Sequence, residues 1–173
     1  GTRASIAISI CAVLLAITLG VSLGLIAGYR GGRLDALIMR LADVQLTFPA
    51  ILTALMIDGI AKVIFKGSKL GDNHFLILVV AIGFSYWVQY ARTVRSVTLV
   101  ERNKEYVQAA RLIGIGPLKI MFQHVLPNVL SPVLVIATIN LALAVITEAT
   151  LSFLGVGLPP TEPSLGTMIQ IGN

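Results

Sequence analysis

Charged and apolar positions segregate along this chain into long runs. Residues 4–29 carry no charged side chain over 26 positions. At about 1.5 Å per residue such a helix spans roughly 39 Å, enough to cross a hydrocarbon core of about 30 Å. The run is also too long for the apolar region of a signal peptide. Residues 75–91 form a second charge-free run of 17, near the lower limit for a span, with Arg92 and Arg95 placed to snorkel from its end. Residues 121–147 form a third, interrupted only by His124. A fourth candidate, residues 41–65, holds Asp43, Asp58 and Lys62 and is charge-free only over 44–57. Asp58 and Lys62 stand at helical spacing for an ion pair. The pattern predicts an all-α polytopic membrane helical bundle with four spans, in one transmembrane domain over residues 1–173.

Between the last two runs lies a compact polar insert, residues 108–127. Residues 101–113 carry helix formers, Gly114 suits a left-handed helix end, and Gly116-Pro117 restarts a helix. Two short helices are predicted, a helix-turn-helix at the membrane surface over about residues 101–126. Ala109 and Ala110 give one helix face little bulk and Gly114 permits a sharp turn, the shape of a wedge that sits in a partner's groove. An ordinary interfacial hairpin would use the same alanines merely as helix formers.

Composition agrees with a membrane protein. Of 173 residues, 56% are hydrophobic and 12% charged, against about 25% charged in soluble domains, and the mean hydropathy is +0.90. Basic residues are lopsided. Arg30, Arg33, Arg40, Arg92, Arg95, Arg102, Lys104, Arg111 and Lys119 fall on one side of the predicted spans, and only Arg3, Lys62, Lys66 and Lys69 on the other. The positive-inside rule then makes the first span run from outside to cytoplasm and puts the insert in the cytoplasm. A net charge of +5 does not point to nucleic acid, because the basic residues sit at membrane edges without interleaved aromatics. Cys11 alone excludes a disulfide within the chain. No GxxxxGK[ST] run is present, so ATP hydrolysis by this chain is not expected, nor is any cofactor bound to it. His74 and His124 fall at opposite faces, which disfavours a shared metal site, and no Ser, His and Asp combination comes together.

Several single features carry two readings. Gly20, Gly24 and Gly28 leave one face of the first span bare for close helix packing, against another helix of this chain or of a second subunit. Pro49 would kink the second span, as a pathway-lining hinge or simply as the proline that membrane helices tolerate. Gly83, Ser85, Tyr86 and Gln89 put some polarity on the third span, a hint of a lined cavity with Gln89 as a pathway residue. Glu148 follows a long apolar run, where a carboxylate at membrane depth costs about 2.5–3.5 kcal/mol on insertion scales. About 32 Å along from Pro127, it is either an interfacial, solvated or hydroxyl-bonded group or a pathway carboxylate.

The spacing Ala109-Ala110, three residues, Gly114, nine residues, His124, one residue, Leu126-Pro127 resembles the cytoplasmic EAA loop of ABC importer permeases. Gln108 stands where that pattern has Glu and His124 where it has Ile, departures similar to those of the dipeptide, oligopeptide and nickel branch. The segment from Gly155 through Pro159, Pro160 and Pro163 to Gly166 is similar to that branch's re-entrant outer loop, with Leu165 in place of the usual Trp. The resemblance implies the type I ABC importer permease fold with six spans, of which the first and last are lacking here. The missing initiator Met and the stop just after a helix start at Ser164 also read as an excerpt of a longer chain. It further implies that Glu105, Gln108, Ala109, Ala110, Gly114, His124, Leu126 and Pro127 form an ATPase-coupling loop. The implied partners are a second homologous permease, two cytosolic ATPase subunits holding ATP and Mg, an extracytoplasmic solute-binding protein, and membrane lipid. The implied role is a permease in the bacterial cytoplasmic membrane importing di- or oligopeptides. A nickel importer of the same branch, or an ATP-independent secondary transporter or channel, remain as alternatives. The last would show paired broken helices in related halves, and no internal repeat is found.

Overall fold

The computed structural model describes residues 2–65, 73–158 and 164–172. Lys66 and Lys69 of the charge count, and Pro159, Pro160 and Pro163 of the outer segment, lie outside the described residues. Every regular element among the described residues is helical: α1 (Thr2–Arg30), α2 (Gly32–Leu46), α3 (Ala50–Ile64), α4 (His74–Glu101), α5 (Glu105–Leu112), α6 (Pro117–Ile120), α7 (Leu126–Phe153) and α8 (Leu165–Gly172), with a π turn (Met121–Val125) between α6 and α7.

The predicted spans map onto these helices with two differences. Among the described residues three segments are long and apolar enough to cross a membrane: Thr2–Arg30, His74–Glu101 and Pro117–Phe153. The fourth is not a single kinked helix but the pair α2 and α3, bent by 97°. Proline explains the break. Pro49 has no N–H to continue α2 and disfavours helical geometry in Phe48 before it. Pro49 itself sits at φ −56°, ψ 140°, as the cap from which α3 starts. The pair still runs from one end of the bundle to the other. Asp35 of α2 pairs with Arg95 near the end of α4, whereas Lys62 near the end of α3 donates to the carbonyl of Val156 at 2.7 Å, just past α7.

The second difference is that α4 continues well beyond Ala91. Arg92 and Arg95 therefore do not snorkel from a helix end; they pair with Asp43 and Asp35 of α2, which accounts for charges that the hydropathy pattern left on the second span. Farther in, the Trp87 indole donates to Gln45 Oε1 at 2.7 Å, and Gln45 Nε2 donates to the carbonyl of Phe84 at 2.6 Å. Asp58 and Lys62 do pair, at 2.8 Å. Asp35→Asn is expected to lower the apparent melting temperature of the detergent-solubilised protein by roughly 2–6 °C, and Asp43→Asn by less. The Asp43–Arg92 pair is the more exposed of the two and thus the better screened. Thermal shift monitored by size-exclusion fluorescence checks the order.

The centre of the bundle is α1 against α4. The two run parallel and nearly backbone to backbone, because Gly20, Gly24 and Gly28 all face α4. A Cβ at these positions would lie 2.6 Å from the Trp87 carbonyl oxygen, the Ala91 carbonyl oxygen and Thr98 Cβ respectively. Gly83 does the same from α4, close to the carbonyl of Ala12. The packing partner of the glycine stripe is thus a helix of this chain. α7 runs antiparallel to α4. Tyr86 and Thr147 share a 2.8 Å hydroxyl hydrogen bond, and the apolar core between the helices includes Ile8, Leu78, Ile82, Tyr90, Val94, Val129 and Leu151.

Candidate coupling hairpin

α1 and α4 end, and α7 begins, at one end of the bundle, and the basic residues gather there. Arg102 Nη1 donates to the carbonyl of Gly28 at 2.8 Å, and the Arg111 guanidinium lies over the Tyr29 ring, 5.2 Å from its centroid. The insert projects from this end. α5 opens with Glu105 in its first turn and carries Arg111 in its last, both favourable to the helix dipole. It stops as the sequence predicts. Gly114 adopts φ 81°, and the amides of Ile115 and Gly114 donate to the carbonyls of Ala110 and Arg111, each at 3.0 Å. This is the Schellman pattern, which satisfies carbonyls that a helix end otherwise leaves open.

The restart also falls where predicted: Gly116 is extended and Pro117 takes the first helical position, where its missing N–H costs nothing. The second short helix, however, does not stand alone. From Pro117 the chain stays helical to Phe153, so the second arm of the hairpin is the leading end of a membrane span. The helix widens at the π turn Met121–Val125. Pro127, which cannot donate to the carbonyl four residues back and would clash with it, lies just beyond and gives the physical reason.

The predicted seat residues do not share one surface. Gln108, Ala109 and Gly114 are exposed and Pro127 also faces outward, but Ala110 is only 4% exposed and packs inward with Val107, Ile120 and Val125. Reading both alanines as a bare docking face is therefore corrected: Ala109 faces out, while Ala110 lets α5 lie close on the core. Gln108 Nε2 donates to the carbonyl of Asn103 at 3.0 Å, bracing the turn before α5. His124 and Leu126 are half-buried. The tip presents instead side chains that the spacing did not single out: Leu112, Ile113 and Leu118 are 88%, 77% and 68% exposed, and Phe122 59%. Apolar groups crowded at a basic, polar end make this a candidate interaction surface. The available signal was Leu112-Ile113 just before the glycine turn, which no core-facing periodicity claims.

The hairpin is held by polar contacts that sequence reasoning also missed. Glu101, 6% exposed at the end of α4, accepts from Lys104 Nζ at 2.6 Å and from the Tyr106 hydroxyl. Asn128 Nδ2, in the first turn of α7, donates to Tyr106 Oη at 3.0 Å and to the His124 carbonyl at 3.0 Å. Partial desolvation, and then the hydrogen bond to Glu101, hold the Tyr106 phenol above its ordinary range.

The proposed pathway residues occupy unlike surroundings. Gln89 and Pro49 are exposed on the outside of the helices, whereas Glu148 is fully buried. Glu148 is not solvated, and only one of its oxygens is hydroxyl-bonded: Oε2 is buried with no hydrogen-bond partner among the described residues. Ser152 Oγ donates to Glu148 Oε1 at 2.7 Å, and Ser152 is itself pressed close by Gly157 and Gly166. At this far end α7 closes with a second Schellman turn, Gly155 at φ 77° and the Val156 amide donating to the Leu151 carbonyl at 3.0 Å. α8 starts from reciprocal Ser164–Thr167 bonds, Ser164 N–H to Thr167 Oγ1 at 2.6 Å and Thr167 N–H to Ser164 Oγ at 3.2 Å. Among the described residues no group of three or more His, Cys, Asp or Glu side chains is placed to hold a metal ion.

Residues 20–173 match the family described as binding-protein-dependent transport system inner membrane component. The chain is 38% identical to the dipeptide transport system permease protein DppC of Haemophilus influenzae, over 98% of this chain and 54% of that protein. It is 36% identical to the oligopeptide transport system permease protein OppC of Bacillus subtilis, over 99% of this chain and 53% of that protein. It is 39% identical to the glutathione transport system permease protein GsiD of Pectobacterium atrosepticum, over 98% and 53% respectively. The chain thus spans about half the length of the curated relatives it matches.

Proposed function

Because this chain belongs to the family of binding-protein-dependent transport system inner membrane components, we propose that it is the core of a permease subunit in an ATP-driven importer of di- or oligopeptides. It is a multi-pass membrane protein, and on this reading it lies in the bacterial cytoplasmic membrane with its basic end in the cytoplasm. The transport step belongs to the permease pair, and ATP hydrolysis to two separate cytosolic subunits. An extracytoplasmic binding protein delivers the substrate. Peptides are favoured over nickel because the relatives named above carry peptide and glutathione transport in their names.

The observation that carries this reading is the hairpin, an apolar tip at the basic end whose second arm continues unbroken into a membrane span. A push on such a tip is a push on the span itself. On this reading Gln108, Ala109, Leu112, Ile113 and Gly114 form the seat for the ATPase, Ala110 supports it from beneath, and Glu105, His124, Leu126 and Pro127 set its geometry.

Cys11 is the sole cysteine in these 173 residues, so in the full permease Cys11→Ser, together with Ser at any cysteine elsewhere, lets Ile113→Cys supply a single thiol at the tip. It is expected to crosslink in membranes to a co-expressed cytosolic ATPase subunit, with a yield that changes when ATP is added. A thiol that labels from the cytoplasm yet crosslinks to no ATPase would refute the importer reading in favour of an ATP-independent transporter.

A further inference from the structure

The best-connected polar cluster in the described residues is not at the exposed tip. It joins three elements at the root of the hairpin. Glu101 ends α4, Tyr106 stands in the first turn of α5, and Asn128 stands in the first turn of α7. The Tyr106 hydroxyl donates to Glu101 and accepts from Asn128 at 3.0 Å, while Asn128 also reaches Glu101 Oε2 at 3.4 Å. Lys104 at 2.6 Å supplies the countercharge that makes a buried carboxylate tolerable there. The π turn supports the arrangement. The His124 carbonyl accepts from Asn128 Nδ2 at 3.0 Å and lies 3.4 Å from the Tyr106 hydroxyl, and the rings of Tyr106 and His124 lie 6.2 Å apart.

Apart from this cluster, the Arg111 guanidinium over the Tyr29 ring and the Gln108 bond to Asn103, α5 has few fastenings. It buries only Val107 and Ala110, a small apolar anchor for a helix of two turns that is too short to be stable alone. Without the cluster, α5 could rock on the Lys104 and Gly116 joints, and force applied at Ile113 would be lost in local bending.

We propose that Glu101, Tyr106 and Asn128 form a clasp that fastens α5 to the ends of α4 and α7, so that the hairpin and these helices move as one body when the tip is pushed. The inference rests on the importer reading for the source of the push. The three residues are positioning residues, placed away from the tip.

The test uses the full transporter with its ATPase subunits and binding protein in proteoliposomes, with labelled dialanine as the probe. Tyr106→Phe removes one oxygen and Asn128→Ala one amide. Each is expected to leave ATPase association and ATP hydrolysis in place while lowering uptake per ATP hydrolysed about fivefold. The double variant should fall no further than the worse single one, since the groups act as a unit. Glu101→Ala should uncouple as strongly, and Glu101→Gln, which still accepts from Tyr106, should recover part of the ratio. Amide exchange in residues 105–112 should quicken about tenfold in the uncoupled variants. An unchanged ratio of uptake to hydrolysis in a wild-type system that does transport would overturn the clasp and leave the importer reading standing. Wild-type protein that neither takes up dialanine nor engages an ATPase would instead overturn the peptide-importer reading. The clasp is then decided by exchange alone: faster α5 exchange in Tyr106→Phe supports it, and unchanged exchange overturns it.

Discussion

Gly114→Asp is expected to abolish substrate uptake while leaving the full permease in the membrane at normal abundance. The two halves of this outcome have separate physical grounds. Gly114 sits at φ 81°, and among the described residues no atom beyond its chain neighbours lies within 4 Å of where its Cβ would be. The fold therefore bears only the backbone strain of a left-handed residue, about 1–2 kcal/mol, and Asp is among the residues that tolerate this conformation best. Uptake suffers for another reason. The new carboxylate would stand next to Ile113 in an apolar tip, and seating that tip in a partner would strip the charge of water without supplying a counter-ion. A loss of docking by only about 1.4 kcal/mol already means tenfold weaker engagement. Gly114→Asn imposes the same backbone strain without charge and should keep substantial uptake, separating electrostatics from conformation. Wild-type uptake by Gly114→Asp at wild-type abundance would remove this turn from the docking surface.

Gly24→Leu should have the opposite signature, with loss of the folded protein itself. A Cβ on Gly24 would lie 2.6 Å from the Ala91 carbonyl oxygen and 2.8 Å from Val94 Cβ, so even an alanine forces α1 and α4 apart. In a membrane, helices adhere chiefly by close packing, because lipid tails compete equally for apolar side chains. Overpacking that costs about 1–3 kcal/mol in a soluble core therefore has little to offset it here. Membrane abundance should fall several-fold and the apparent melting temperature of what remains should drop. Gly59→Ala is the matched control, a helical glycine with nothing within 4 Å of its Cβ position, and should be neutral or slightly stabilising. Equal melting temperatures for Gly24→Leu and Gly59→Ala would contradict the α1–α4 interface.

The turn at Gly114 and Pro117 was legible in the sequence because the chemistry that sets it is local: a positive φ, a missing N–H, a helix end. The same holds for α1, whose length follows from the absence of charge over residues 4–29. A kink at Pro49 was legible, but not that the helix ends there and a second starts at 97° to it. Whether a proline bends a helix or ends it depends on what receives the freed segment, and here α2 is received by Arg92, Arg95 and Trp87 of a helix far along the chain. Ala109 and Ala110 look alike in sequence. The burial of Val107 and Ile120 fixes the roll of α5 and turns one alanine outward and the other inward. The glycine stripe announced close packing without naming its partner, since a bare face carries no address. Glu101, Tyr106 and Asn128 escaped notice because hydrogen-bond partners spread over 27 residues leave no periodic trace.

The glycine contacts between α1 and α4 also bear on how such a subunit could work. Two helices meshed this tightly along their length have no room to roll past each other, since any rotation turns a side chain into a gap sized for hydrogen. They form a strut. With the hairpin rooted on the same strut through α4 and continuing into α7, a stroke delivered at the tip, on the importer reading, would tilt most of the subunit as a single rocker. On the importer reading proposed above, the seam that opens to let a substrate through would then lie outside this strut, between the subunit and its partner permease.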